Sequence, residues 1–209
     1  MPFPFRRHRR SATTAPDPDL RLIVGLGNPG SKFAGTRHNV GFMVAGRLAE
    51  LNDIAVKGSK HRAEVGRGVV AGKPAIVALP LTYMNESGNA VQRLLAYYHV
   101  PVERLLVIAD DIDLPFGTLR LRPGGSSGGQ GGLRSIEQAI GTSEFPRLRF
   151  GIGRPVNDAV DHVLSRFPSV QQAVLPQLID KAAQAVTATV GEDIGAAMNE
   201  YNRNWLCET

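Results

Sequence analysis

The sequence predicts a single α/β domain. Short β-rich runs alternate along the chain with segments of helical periodicity, which is the pattern of a sheet covered by helices. The chain has 209 residues, of which 43% are hydrophobic. This length is sufficient to bury one sizeable core and too short for two ordinary domains to be expected.

The predicted strands are apolar, β-rich runs bounded by turn residues, and the weakest of them is the second. They span residues 21–26, 62–68, 74–80, 104–110, 116–122 and 147–153. The predicted helices are segments in which apolar side chains recur at helical spacing. They span residues 40–51, 91–98, 133–140 and roughly 170–190.

Residues 123–132, PGGSSGGQGG, are predicted to form a mobile loop between a strand and a helix. Holding so many glycines in one regular conformation would carry a large entropic cost. A flexible linker between two domains is the alternative. Because both flanks look like parts of one sheet, a loop over a functional site is favoured.

The net charge of +5 arises mainly at the N-terminus, where residues 1–16 contain no acid. Most of the excess is supplied by Arg6, Arg7, Arg9 and Arg10. A disordered basic tail is therefore predicted over residues 1–19, followed by the folded domain over 20–209. A solvated extension is the simplest interpretation of the tail. A nucleic-acid-binding arm and an organelle transit peptide are alternatives, although early prolines argue against the helix that a transit peptide needs.

The chain is expected to be a soluble cytoplasmic protein with no membrane partner. No apolar stretch approaches the roughly 18 residues of a membrane helix, and the N-terminus lacks the apolar run of a secretory signal. Cys207 is the only cysteine, which excludes an intramolecular disulfide and a multi-cysteine metal site within one chain.

The segment from Gly25 to Gly30, GLGNPG, matches the G-x-G-x-x-G pattern of dinucleotide-binding proteins and follows a predicted strand. In those proteins the last glycine opens a helix whose N-terminus faces the pyrophosphate. Here helical periodicity resumes only near Val40, and no second strand ends in an acidic residue placed to hold a ribose. The sequence therefore argues against a dinucleotide cofactor and a Rossmann oxidoreductase.

Three predicted strands run into segments that carry chemistry. The strand at 21–26 is followed by the loop from Asn28 to Asn39, which contains His38. The strand at 74–80 is followed by Thr82–Asn85, and the strand at 104–110 runs into Asp110–Asp113. Ligands of open α/β sheets bind at the carboxyl ends of strands, so these segments are expected to share one cleft. A lone histidine is as often a structural hydrogen-bonding residue as a general base. The residues around His38 decide between these two roles.

A histidine beside a carboxylate is held in one tautomer and becomes a better general base, while nearby amides can hold a carbonyl group and a water. The Gly-x-Ser-x-Gly pattern occurs only inside the glycine loop, at Ser126 and Ser127, where no strand-to-helix elbow is expected. Direct attack by water, without metal or cofactor, is therefore favoured. A metal site at residues 110–113 is the alternative, but their carboxylates would alternate between faces of an extended strand end without a second ligand cluster.

Five segments resemble, in order, those of the bacterial peptidyl-tRNA hydrolases: LIVGLGNPG, TRHNVGF, YMNESG, DDIDLPFG and LRFGIGRP. The match covers roughly residues 21–167, and Asn202-Arg203 also fits the family's C-terminal end. The resemblance implies a mixed, mostly parallel β-sheet surrounded by α-helices, and a protein that is usually monomeric and uses no metal or cofactor. The implied reaction cleaves the ester bond between peptide and tRNA in peptidyl-tRNA, which recycles tRNA from prematurely terminated translation.

The resemblance also implies roles for individual residues. His38 matches the family's catalytic base and Asp110 the carboxylate that orients it. Implied substrate contacts are Asn28, Phe33, Met84, Asn85, Gln130 and Gly131. The tRNA phosphate would be held by Arg122 and Arg149, both of which have a simpler interpretation as solvated strand residues.

The chain departs from the family at positions in or beside the site. Gln130 and Gly131 stand where relatives commonly carry histidine and asparagine, Ala109 where they often carry histidine, and Phe33 where they carry tyrosine. Gln130 is a candidate to replace the missing asparagine contact. A catalytically weakened relative that only binds RNA is the competing function, and the retained general-base pair argues against it.

Overall fold

The computed structural model describes residues 17–155 and 158–206. Its strands are β1 (Arg21–Gly25), β2 (Gly58–Lys60), β3 (Ala63–Val70), β4 (Lys73–Pro80), β5 (Leu105–Asp111), β6 (Leu119–Arg122) and β7 (Arg147–Gly151). They form one sheet in the order β2-β3-β4-β1-β5-β7-β6. β1 pairs in parallel with β4 and β5, and β5 with β7, while the remaining pairs are antiparallel. The predicted mixed, mostly parallel sheet is confirmed.

The helices are α1 (Val40–Leu51), α2 (Ser87–Tyr98), α3 (Gly131–Ile140), α4 (Ala159–Leu164), α5 (Ser169–Gly191) and α6 (Ile194–Tyr201). Each predicted helix and strand is present; α1 has the predicted ends, and the others are shifted at one or both ends. The strand predicted at 116–122 begins only at Leu119, because Gly117 has a φ of 84° that is incompatible with a strand. Elements β2, α4 and α6 were not predicted.

Helices cover both faces of the sheet, and the alternation of side chains along each strand builds two cores. On one face, Ile23, Val77 and Ile108 pack with apolar side chains of α1 and α5. On the other face, Val24 and Val107 pack with those of α2 and α3. Because helices occupy both faces, the carboxyl edge of the parallel strands is left for the site.

The first glycine of the G-x-G-x-x-G match serves helix packing, together with Gly41 in α1. A Cβ on Gly25 would lie 2.3 Å from the carbonyl oxygen of Gly41, and a Cβ on Gly41 would lie 2.5 Å from that of Leu26. The N-terminus of α1 therefore sits directly on the ends of β1 and β5. Helix α1 starts at Val40, as predicted, and the intervening polar loop occupies the place of a dinucleotide-binding helix.

The segment after α6 covers the edge strand β6. The backbone N–H of Leu121 donates to Oδ1 of Asn202 at 2.6 Å, and Nδ2 of Asn202 donates to the carbonyl of Leu121 at 3.2 Å. The N–H of Leu119 donates to the carbonyl of Arg203 at 3.0 Å. These bonds satisfy backbone groups that an edge strand would otherwise expose.

The predicted N-terminal tail lies outside the described residues up to residue 16. Its last part is described: Asp19 lies 3.7 Å from Arg104 in an ion pair, and Leu20, the first residue of the predicted domain, is buried. Within residues 17–155 and 158–206, none of the helices combines the length and apolar character required to cross a membrane.

Candidate active site

The site lies where β1, β4 and β5 end side by side. β1 is the middle strand of the three, and all run in the same direction. The polar segments that follow them are consequently brought to one edge of the sheet, but the predicted shared cleft is formed by the segments after β1 and β5 and not by residues 82–85. The loop after β1 ends in a 3-10 turn, Arg37–Asn39, which runs directly into α1.

His38 and Asp110 are in direct contact. Nδ1 of His38 lies 2.8 Å from Oδ2 of Asp110, and the side chains are 15% and 2% exposed. This confirms the contact expected between the two residues. Because Nδ1 faces the carboxylate, it carries the proton in the neutral ring, and the lone pair of Nε2 is available to another group.

His38 and Asp110 line a cavity. Gly128–Gly131 form one wall, and Val160 and Val163 of α4 form another. Arg149 and Asp111 reach the same cavity from β7 and from the end of β5. Its lining is therefore polar around the histidine and apolar along α4.

Asn28 ties the loops of the site together. Its Oδ1 accepts a hydrogen bond from the backbone N–H of Met84 at 2.8 Å. Its backbone N–H donates to Oδ1 of Asn39 at 2.9 Å, and Nδ2 of Asn39 donates back to the carbonyl of Asn28 at 2.9 Å. Asn28 thus joins the loop after β1 to the loop after β4 and to the turn that carries His38.

The other residues implied as substrate contacts after β1 and β4 lie outside the set that lines the cavity. Phe33 is half-buried and makes an edge-to-face contact with Tyr83, with ring centroids 6.5 Å apart. Asn85 is exposed, in the 3-10 turn that precedes α2. Met84 is buried, with its sulfur 3.3 Å from Nε2 of Gln130.

The glycine loop ends earlier than predicted, because α3 begins at Gly131. Gln130 immediately precedes the helix and is 9% exposed. Its side chain contacts Asp110 and the first turn of α3. The loop is also tethered at Ser126, whose carbonyl accepts from Arg147 and Arg149.

A second, basic cavity adjoins the first. It is lined by Arg120, Arg122 and Arg149 together with Gly124–Ser126. Arg120 and Arg149 are direct partners on the antiparallel strands β6 and β7, which places both guanidinium groups on one face. Asp111 contributes to both cavities and pairs with Arg149 at 3.0 Å.

Arg147 is the buried member of this arginine cluster. It pairs with Glu137 at 3.1 Å and stacks on the ring of Phe145, with its Cζ 4.0 Å from the centroid. Burial lowers the pKa of Arg147, and the contact with Glu137 opposes that shift. Arg147 is therefore a structural residue that does not line the basic cavity. The cavity is lined by Arg120, Arg122 and Arg149.

The aspartates at the end of β5 have separate partners. Asp110 faces His38, Asp111 faces Arg149, and Asp113 lies 3.4 Å from Arg154. In the described part of the chain, no three His, Cys, Asp or Glu side chains form a group suited to a metal ion. The alternation of carboxylates predicted from the sequence is thus the observed arrangement.

Several residues of the site were not singled out in the sequence. Asn39 holds Asn28 by two hydrogen bonds, and Asp111 pairs with Arg149. The others are Arg120, which lines the basic cavity, and the two valines of α4, Val160 and Val163. Asn39 and Asp111 had a local signal, since each directly follows a predicted catalytic residue. Arg120 lies two residues before Arg122, so both side chains are on the same face of the strand, and this spacing could have indicated Arg120 as a site residue.

Comparison with known proteins agrees with the geometry. The sequence model of the family described as peptidyl-tRNA hydrolase matches residues 22–208. The peptidyl-tRNA hydrolase of Chloroflexus aggregans is 49% identical over 184 residues, covering 87% of this chain and 98% of that protein. That of Desulforamulus reducens is 45% identical over 184 residues, covering 88% and 89%.

Solved structures give the same result. The crystal structure of peptidyl-tRNA hydrolase from Acinetobacter baumannii matches with a TM-score of 0.83 and 40% identity, covering 88% of this chain and 95% of that one. The resemblance seen in the sequence is therefore confirmed. This chain belongs to the peptidyl-tRNA hydrolase family.

Proposed function

We propose that this chain hydrolyses the ester bond between peptide and tRNA in peptidyl-tRNA, with His38 as the general base and Asp110 as its partner. The observation that carries the proposal is the 2.8 Å contact between Nδ1 of His38 and Asp110 at the wall of an open cavity. The contact leaves Nε2 of His38 free to take a proton from water.

In the proposed reaction, a water molecule attacks the carbonyl carbon of the ester while Nε2 of His38 accepts its proton. The resulting imidazolium is stabilised by the carboxylate of Asp110. When the tetrahedral intermediate collapses, the bond to the ribose oxygen breaks and His38 returns the proton to that leaving oxygen. The products are the free peptide acid and the tRNA.

Substrate contacts around this centre are proposed at the residues that the family pattern implies. Gly131 and Gln130 bound the cavity itself, where α3 begins. Asn28 and Met84 form a hydrogen-bonded pair that contacts the cavity wall through Gln130. Phe33 and Asn85 extend the surface on the loops after β1 and β4, where an aromatic ring and an amide are accessible to a long substrate.

We further propose that Arg122 and Arg149 bind a phosphate of the tRNA, with Arg120 as a third cation. The three line one basic cavity next to the ester site. Guanidinium groups form bidentate hydrogen bonds with phosphate oxygens, which suits backbone recognition without reading the sequence. A substrate spanning both cavities would be held by its RNA on one side and its ester on the other.

The cellular role that follows is the recycling of tRNA after premature termination, in the cytoplasm and by a monomer. If the chain only bound RNA, the buried contact between His38 and Asp110 would have no functional explanation. The retained pair therefore favours an enzyme over a binding protein.

The test is incubation of the full chain with a labelled N-blocked peptidyl-tRNA and, separately, with the matching free aminoacyl-tRNA, following release of tRNA. Cleavage of the peptidyl-tRNA is expected, with His38→Ala as the inactive control. Binding without cleavage by the unmodified chain would overturn the proposal in favour of the RNA-binding alternative.

A further inference from the structure

The side chain of Gln130 has two fixed partners. Its Oε1 accepts a hydrogen bond from the backbone N–H of Leu133 at 2.8 Å, which caps helix α3. Its Nε2 donates to Oδ1 of Asp110 at 2.9 Å. One buried amide therefore links the first turn of α3 to the end of β5.

The orientation of this amide follows from hydrogen-bond chemistry. The backbone N–H of Leu133 can only donate, so the amide oxygen must face it. The NH₂ group then faces Asp110, whose carboxylate accepts. A third contact agrees with this orientation, because Nε2 lies 3.3 Å from the sulfur of Met84, which is a weak acceptor.

Asp110 is consequently held through both of its oxygens. Oδ2 contacts Nδ1 of His38 at 2.8 Å, and Oδ1 accepts from Gln130 at 2.9 Å. Because Asp110 is only 2% exposed, its second oxygen depends on a protein donor. Holding both oxygens restricts rotation of the carboxylate, which fixes the direction of the His38 ring and of its Nε2.

We propose that Gln130 is a positioning residue that holds Asp110, and through it His38, in the orientation required for reaction. The inference rests on the proposed function, because it requires His38 to be the base. The donor stands at the N-terminus of helix α3, and its Nε2 also contacts the sulfur of Met84. If Oδ1 of Asp110 lost its donor, the carboxylate could rotate away from His38.

The variant Gln130→Glu separates this role from helix capping. It keeps an acceptor for the N–H of Leu133, which the positive end of the helix dipole favours, and replaces the donor by an oxygen facing Asp110. At a pH at which both carboxyl groups are ionised, we expect kcat to fall at least about 10- to 100-fold, the scale of one lost hydrogen bond to a charged group, with a smaller change in KM. Gln130→Met removes both contacts and should show the same fall in kcat with a lower melting temperature.

Combination with Asp110→Asn tests the route of the effect. If Gln130 acts through Asp110, adding Gln130→Glu to Asp110→Asn should lower kcat no further. If the two substitutions lower kcat independently, so that their fold-changes multiply in the double variant, the inference is overturned. A change in melting temperature without a change in kcat would also overturn it. Full activity of Asp110→Asn would contradict the proposed pair as well, whereas a slow Asp110→Asn beside a fully active Gln130→Glu would contradict only the role of Gln130.

Discussion

Asp111 and Arg149 form an ion pair, 3.0 Å between Oδ2 and Nη1, at the junction of the two cavities. Asp111 is 8% exposed and Arg149 15%, so neither charge is fully solvated. Oδ1 of Asp111 also accepts from the backbone N–H of Asp113 at 2.8 Å. The pair therefore fixes Arg149 between the ester site and the proposed phosphate site.

The first prediction concerns this pair. Arg149→Gln should weaken tRNA binding and reduce the slope of log K against log salt by about 1, because one phosphate contact is lost. It should also destabilise the fold by about 1–3 kcal/mol, since Asp111 is left buried without its partner. Binding at several salt concentrations and thermal melting measure the two effects.

Adding Asp111→Asn to Arg149→Gln should restore stability without restoring binding, because the unpaired buried charge is removed while the cation remains absent. Arg104→Gln is the matched control, since Arg104 pairs with Asp19 before the start of β5, at the opposite edge of the sheet. An equal loss of binding in the control would contradict a specific phosphate contact.

The second prediction concerns the general base. His38→Ala should lower kcat by roughly 100- to 10,000-fold while leaving tRNA binding largely intact. Asp110→Asn should do less damage, because the base remains but its orientation and the stabilisation of its charged form are weakened. Single-turnover cleavage and a separate binding assay measure both variants. Unchanged turnover of His38→Ala would require another base.

The edge of the sheet at which His38 meets Asp110 was predictable, because buried apolar runs identify parallel strands and polar residues follow them. The side-chain partners beyond that pair were not. Asp111 and Arg149 are 38 positions apart, and no local pattern specifies such a contact. Gln130 is not a preferred residue for capping a helix, and the surrounding glycines indicated a loop rather than the start of α3.

Two of the missed elements, β2 and α4, have weak signals for physical reasons. All three residues of β2 are exposed, and α4 contains no buried residue, so neither shows a periodic apolar face. Helix α4 is instead fixed by Arg37, whose guanidinium donates to the carbonyl of Arg166 at 2.8 Å in the segment that follows it. Tertiary contacts of this kind determine a short helix that its own sequence does not.

The third prediction concerns the basic N-terminal segment. Deleting residues 1–16 should leave cleavage and the salt dependence of binding nearly unchanged, because the proposed phosphate contacts belong to Arg120, Arg122 and Arg149. Binding of the shortened and full chains is compared across a salt series. A smaller slope for the shortened chain would identify the segment as a nucleic-acid-binding arm.

The fourth prediction uses Gly131, where relatives commonly carry asparagine. Restoring both family residues by Gln130→His with Gly131→Asn would sacrifice the contact between Gln130 and Asp110, so the single change Gly131→Asn is the better experiment. Unlike Gly128 and Gly129, with φ of 58° and 82°, Gly131 has no positive φ, and a Cβ there meets no atom within 4 Å. A side chain is therefore accommodated without strain.

Gly131→Asn adds an amide to the wall of the cavity, and one new hydrogen bond to substrate or water is worth about 0.5–1.5 kcal/mol. We accordingly expect kcat/KM to rise a few-fold to about tenfold. Gly131→Ala is the matched control, because it makes the same backbone change at the first residue of α3 without the amide. A gain in both variants would assign the effect to the stiffer helix start, whereas a gain with asparagine alone requires the amide itself to contact the reacting groups.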